Sequence, residues 1–124
     1  MKDKLDMDVS IIIPIYNEEE TLPHLVDRVS EVMKDTGLKW ELVLINDGSK
    51  DRSAEIMADL AEKTPELKPL YLRRNYGQTA AMQAGFDHAE GQVYITMDGD
   101  LQNDPSDIPM LLDVMDEQDA DIVS

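Results

Sequence analysis

Val93-Tyr94-Ile95-Thr96-Met97-Asp98-Gly99-Asp100 joins a short apolar run to two carboxylates that flank a glycine. The apolar run reads as a strand buried on both faces, so the carboxylates stand at its carboxyl end. Alternate residues of an extended segment point the same way, and the glycine between them lets a ligand approach the backbone. Two hard oxygen donors on one side suit Mg²⁺ or Mn²⁺, ions that favour one or two carboxylates together with substrate phosphates. Taken alone, Asp-Gly is also a common turn dipeptide.

Working outward, similar runs lie at residues 9–15, 42–45 and 67–72, and a fifth begins at 120–123. Between them the apolar residues take helical spacing: Leu22, Leu25, Val26, Val29, Val32 and Met33; Ile56, Met57, Leu60 and Ala61; Ala80, Ala81, Ala84 and Gly85; Ile108, Leu111, Leu112 and Met115. Thr21 with Pro23, and Ser53 or Asp51, read as helix starts, while Gly37 and Gly91 read as lying just past helix ends. Strands alternating with helices predict an α/β fold, a mostly parallel sheet with helices on both faces. Residues 1–8 are expected to be a tail and 9–124 one domain. The fifth strand has barely started at Ser124, which reads as truncation on the C-terminal side; a natural edge strand is the alternative.

At 124 residues one domain is the natural count. Acidic residues number 27 against 11 Lys plus Arg, a formal charge of −16, which argues against nucleic acid or an anionic membrane as partner of most of the surface. The absence of cysteine excludes disulfides, thiolate nucleophiles and Cys-type zinc sites. No apolar run reaches the ~20 residues of a membrane span, and the first eight residues lack a signal-peptide core, so the chain reads as cytoplasmic. His24 and His88 read as surface residues, and Met33, Met57, Met82, Met110 and Met115 as core filler.

Ligands of open parallel sheets bind beyond the carboxyl ends of the strands. Four strands here end in unusual polar stretches: Pro14-Ile15-Tyr16-Asn17-Glu18, Asn46-Asp47-Gly48-Ser49, Arg73-Arg74-Asn75-Tyr76-Gly77 and Asp98-Gly99-Asp100-Leu101-Gln102. Each has an ordinary explanation as cap, turn or solvated strand end, yet all four would face one crevice. Together they resemble the family-2 glycosyltransferases of the Rossmann-like GT-A fold, from Val9 to Ser124. Arg74-Asn75-Tyr76-Gly77 and Asp100-Leu101-Gln102-Asn103-Asp104-Pro105 resemble more narrowly the branch that loads sugars onto polyprenyl phosphates, as dolichol-phosphate mannosyltransferases do.

The resemblance implies a UDP- or GDP-sugar donor, a polyprenyl phosphate acceptor and a Mg²⁺ or Mn²⁺ cofactor. Asp47, an acceptor-only carboxylate suited to the ring N–H of uracil or guanine, would read the base from an open crevice. Tyr16, Asn17 and Glu18 would line the base and ribose, with Pro14 ending regular pairing just before the site. Asp98 and Asp100 would be the catalytic pair, with Gly99 between them at the nucleotide sugar. Asp98, Asp100 and Gln102 would hold the metal, a solvent-facing loop residue being the alternative for Gln102. Gly77 would present backbone N–H groups at a helix start to a diphosphate or acceptor phosphate. Strand alternation would let only one of Arg73 and Arg74 face the crevice, and Arg74 is favoured as contiguous with the loop. The implied reaction is inverting sugar transfer at the cytoplasmic membrane face, with membrane contact only through parts absent from this chain. A family-2 enzyme with a soluble acceptor and a nucleotide-binding module without activity are the alternatives. A nucleotidyltransferase is disfavoured because no Gly-rich basic loop follows Ile15.

Overall fold

The computed structural model describes residues 7–97, 105, 108–109 and 122–123. Its elements run β1 (Met7–Ile15), α1 (Leu22–Thr36), β2 (Trp40–Asn46), α2 (Ser53–Lys63), β3 (Leu67–Tyr71), α3 (Gln78–His88), β4 (Gly91–Thr96) and β5 (Ile122–Val123). The strands form one parallel sheet in the order β3-β2-β1-β4-β5. The α/β architecture read from the alternating pattern is therefore present.

Side-chain alternation divides the core in two. Ile11, Ile13 and Ile15 of β1 with Leu42 and Leu44 of β2 face Leu22, Leu25, Val29 and Met33 of α1 and Met57 of α2. On the opposite face Ile12, Val43 and Ile45 meet Ala81, with Ala84, Met82 and Phe86 packed around them. Full burial of each Ile or Leu contributes about 1.5–3 kcal/mol, so the repeated β1–β2 pairs dominate the hydrophobic stabilisation. Helix α3 can lie this close to the sheet because it presents small residues. A Cβ on Gly85 would stand 2.5 Å from Ile12 Cγ2. Met33 and Met57 are buried as core filler, and His24 and His88 are exposed.

Several expectations need correction. Strand β1 begins at Met7, inside the expected tail, because the Asp8 and Val9 amides donate to Lys39 O and Met7 pairs with Gly91. Strand β3 is an edge strand whose exposure rises to Tyr71, so it is not buried on both faces; Pro69 is tolerated there. Gly91 opens β4, and α3 is capped instead by Ala89. Glycine is required at 91 by proximity, since a Cβ there would lie 2.5 Å from Ser10 Oγ.

Pro14 ends pairing on one side only. Ile12 O accepts the Met97 amide toward β4, and two residues later Pro14 would direct its missing donor the same way, where the ladder has finished. Toward β2 the register continues through Pro14↔Ile45 and Ile15↔Asn46. The start of β5 expected near 120–123 is found at Ile122–Val123. Most of the expected fourth helix, including Leu111, Leu112 and Met115, lies outside the described residues; Ile108 and Pro109 are helical.

The strand order places the next step. The chain runs from β1 outward to β3, then crosses back over α3 to β4 on the other side of β1. This reversal leaves a crevice between the carboxyl ends of β1 and β4, where open α/β sheets bind ligands.

Candidate functional site

Two loops at this edge are tied into one unit. After β1, Asn17 adopts φ +53, the left-handed region that Asn tolerates better than most residues. Its amide donates to Ser49 Oγ at 2.9 Å, and its Oδ1 accepts the Lys50 amide at 2.8 Å. The Glu18 amide donates to Ser53 Oγ (2.9 Å) and the Glu19 amide to Asp51 Oδ2 (3.2 Å). Burial pushes the Asp51 carboxyl up, but hydrogen bonds from Ser53 and from the Glu19 amide outweigh it and hold the group below its usual value. Ser53 and Asp51, read from sequence only as helix-start residues, thus shape the β1–α1 loop. Their spacing gives no local signal for a bond that spans more than thirty residues.

Asn17 therefore serves as a loop tie in this structure. Asn17→Ala should lower stability by about 1–2 kcal/mol, from a lost hydrogen bond and because Ala tolerates the left-handed region less well than Asn does. Asn17→Gly should cost about half as much, because it retains the backbone conformation. Thermal melts of the pair check this; equal losses would show that the strain contributes nothing.

Asn46 ends β2 and Asp47 follows it, and both are buried. Asn46 Oδ1 accepts the Ser49 amide at 2.8 Å, closing the Asp47-Gly48 turn. The Asp47 amide donates to Ile15 O, extending the β1–β2 ladder by one bond. Asp47 is only 4% exposed as a residue, so its side chain does not stand in an open crevice. Its Oδ1 accepts the Tyr76 amide (2.8 Å) and its Oδ2 the Gly77 amide (3.1 Å).

Strand β3 ends at Tyr71, so Arg73 and Arg74 lie in the following loop and strand alternation does not choose between them; both are exposed. Arg74 is the one engaged at the loop. Its Nε donates to Tyr76 Oη at 3.3 Å and its guanidinium carbon lies 5.5 Å from the Tyr76 ring centroid. Gly77, at φ +101, leads into α3. Tyr16, Tyr71 and Tyr76 are exposed, which leaves three aromatic side chains on the loop side of the sheet.

A cleft of about 240 Å³ is lined by Asn17, Glu18, Glu19, Glu20, Thr21 and Asp51. Among the described residues no group of three or more His, Asp or Glu is arranged to hold a metal. Asp98, Gly99, Asp100 and Gln102 lie outside the described residues. They follow Met97, which is seated on β1 by its bond to Ile12 O at the crevice wall. The structure thus brings together Pro14, Tyr16, Asn17, Glu18, Asp47, Arg74 and Gly77 along the carboxyl edge of the sheet.

A parallel sheet of this order, with its polar loops gathered at one edge, is the Rossmann-like plan that GT-A glycosyltransferases share with other nucleotide-binding folds. Solved structures agree: S. aureus TarS (residues 1–349) matches with TM-score 0.73 and 24% identity, covering 90% of this chain and 33% of that one. A Pyrobaculum calidifontis mannosyltransferase, solved with GDP-Man and Mn²⁺, matches with TM-score 0.68 and 25% identity over 78% of this chain and 28% of its own. The chain belongs to glycosyl transferase family 2, whose model matches residues 10–124. It is 46% identical over 110 residues to undecaprenyl-phosphate 4-deoxy-4-formamido-L-arabinose transferase of Salmonella paratyphi B, covering 88% of this chain. The chain spans about a third of the length of the curated relatives it matches, 34% in that case.

Proposed function

We propose that residues 9–124 are the nucleotide-sugar-binding portion of an enzyme that moves a sugar from a UDP- or GDP-sugar to a polyprenyl phosphate at the cytoplasmic membrane face. The observation that carries this reading is the 46% identity to an undecaprenyl-phosphate sugar transferase across 88% of the chain. No described helix is long and apolar enough to cross a membrane.

Asp98, Asp100 and Gln102 are a donor set of two carboxylates and an amide oxygen, the hard ligands that Mg²⁺ and Mn²⁺ take. When bound, the ion neutralises charge on the departing diphosphate. The remaining roles fall to the chain's own groups. Asp47 has four lone-pair directions and uses two on backbone amides, leaving capacity for a ring N–H of the base. Tyr16 and Glu18 line the base and ribose, and Arg74 brings positive charge to an otherwise acidic surface. A phosphate monoester acceptor is already anionic near neutral pH, its second pKa being about 6, so transfer needs no histidine base.

Calorimetric titration of UDP and GDP with and without Mn²⁺ tests the donor half. Asp100→Asn removes a ligand charge at nearly constant volume and should weaken metal-dependent binding at least about tenfold, or ~1.4 kcal/mol. Equal affinity with and without metal for both nucleotides would sink the assignment. For the acceptor, the full-length parent in membranes is given a radiolabelled sugar nucleotide with undecaprenyl phosphate or a soluble oligosaccharide. Label in the organic phase supports the lipid acceptor, and label confined to the oligosaccharide leaves a family-2 enzyme of another specificity.

A further inference from the structure

The geometry points to Asp47 as a positioning residue: its carboxylate clamps the Tyr76 and Gly77 amides, and so places the loop that carries Arg74 as well as reading the base. This deepens the functional reading above and rests on it for the ligand. Three observations support it independently of any nucleotide.

First, the carboxylate is buried while both of its oxygens accept backbone N–H groups from a loop some thirty residues away. Hydrogen bonds to an ionised acceptor are about twice as strong as neutral ones, and these two meet adjacent amides. The pair fixes the direction of the chain as it enters α3 and cannot be replaced by one bond. Second, the neighbouring turn is shaped to receive that loop. Gly48 sits at φ +67, and an added Cβ would fall on the Arg74–Asn75 peptide, so the loop lies directly on the turn. Third, among the described residues few other hydrogen bonds to the rest of the fold reach the loop. Leu72 donates to Asn46 O at its start, while Arg73, Arg74, Asn75 and Tyr76 are all exposed. Between that bond and α3, the Asp47 carboxylate ties down the Tyr76–Gly77 end of the span. Arg74 is coupled to it through the Tyr76 side chain, whose own amide Asp47 holds.

One carboxylate therefore joins two tasks. Its occupied lone pairs set the Tyr76–Gly77 segment that carries Arg74, and under the functional reading above the remaining ones are left for the base.

Asp47→Asn keeps the volume but leaves one acceptor oxygen and turns the other group into a donor that opposes an amide N–H. Amide hydrogen exchange of the free 124-residue chain should show Tyr76 and Gly77 exchanging at least about tenfold faster in this variant, with β1 and β2 protection intact. Titration with Mn²⁺ and inorganic pyrophosphate, which has no base, should weaken as well, by a smaller factor than for UDP or GDP, which lose the base contact too. Unchanged exchange at Tyr76 and Gly77 would overturn the proposal. So would weakened nucleotide binding beside unaltered pyrophosphate binding, because Asp47 would then act on the base alone. If the variant unfolds, the wild-type chain still decides through scalar couplings across the hydrogen bonds from the Tyr76 and Gly77 nitrogens to the Asp47 carboxyl carbon. Couplings present in the free chain and retained at nucleotide saturation support the clamp, and their absence or loss on saturation overturns it. A wild-type chain that binds neither nucleotide nor pyrophosphate would overturn the sugar-nucleotide reading, and the exchange result would then judge the clamp by itself.

Discussion

Gly48→Ala is expected to destabilise the chain by about 2–5 kcal/mol. Two terms combine. A left-handed conformation costs a residue with a Cβ roughly 1–2 kcal/mol, and forcing an atom into a filled space costs roughly 1–3 kcal/mol more. The second term applies because the new methyl would fall on the Arg74–Asn75 backbone, which cannot rotate aside as a side chain can. Gly37 separates the two effects. It has nearly the same φ, +71 against +67, but nothing stands within 4 Å of its Cβ position. Gly37→Ala should therefore show the strain alone, about 1–2 kcal/mol. Urea unfolding of both variants, with slopes compared to confirm a common denatured state, measures the difference. Equal losses would mean that the loop is not seated on the turn. The Gly48 variant should also weaken nucleotide binding, whereas Gly37, at the end of α1, should leave it unchanged.

The second large effect lies at the opposite end of the sheet. Glu41 is 2% exposed, and one carboxylate there connects four strands. Ser10 of β1 and the Glu90 amide, just before β4, donate to its Oε2, and the Gly91 amide donates to Ser10 Oγ. Lys68 of β3 places its Nζ 2.8 Å from Oε1. Glu41→Ala should cost about 2–4 kcal/mol, mostly from the buried Ser10 hydroxyl and the part-buried Glu90 amide, both left without their acceptor. The stranded Lys68 adds little, since its side chain is 36% exposed and remains solvated.

The same site predicts a pH dependence. Burial pushes the Glu41 carboxyl up, but hydrogen bonds from the Glu90 amide, Lys68 and Ser10, with the Lys68 charge, outweigh it and hold the group below its usual 4.5. A lowered folded pKa means that the unfolded chain binds the proton first. The stabilisation is therefore complete above about pH 4.5 and disappears as pH falls through the folded value. Glu41→Gln, which cannot ionise, should flatten this part of the acid limb in unfolding experiments between pH 3 and 6. An acid limb identical to wild type would show that Glu41 is not linked to folding.

Glu41 also marks a limit of sequence reading. It interrupts the apolar run Trp40-Glu41-Leu42-Val43-Leu44-Ile45, and a charge beside a strand start ordinarily reads as its solvated end. Only the register Ser10↔Glu41 and the return of the chain at Glu90 convert it into a buried junction.

The sequence alone determined the elements whose signal is local. Apolar runs of strand length alternating with helical periodicity establish an α/β parallel sheet, because burial on two faces and burial on one stripe demand different spacings. Thr21, Pro23 and Gly37 mark the limits of α1 through backbone preferences that need no partner. The motif loops were legible as polar breaks at strand ends, since a parallel sheet sends all such ends to one edge. What the tertiary structure decided depends on segments remote in sequence. It placed β3 at the edge, explained Gly91 by the nearness of Ser10, and confined the effect of Pro14 to the β4 side. It also moved Asp47 from an open crevice to a buried clamp. A residue's type states which bonds it can make. Which partner arrives to make them is set by strand order and register, and those exist only once the chain has closed on itself.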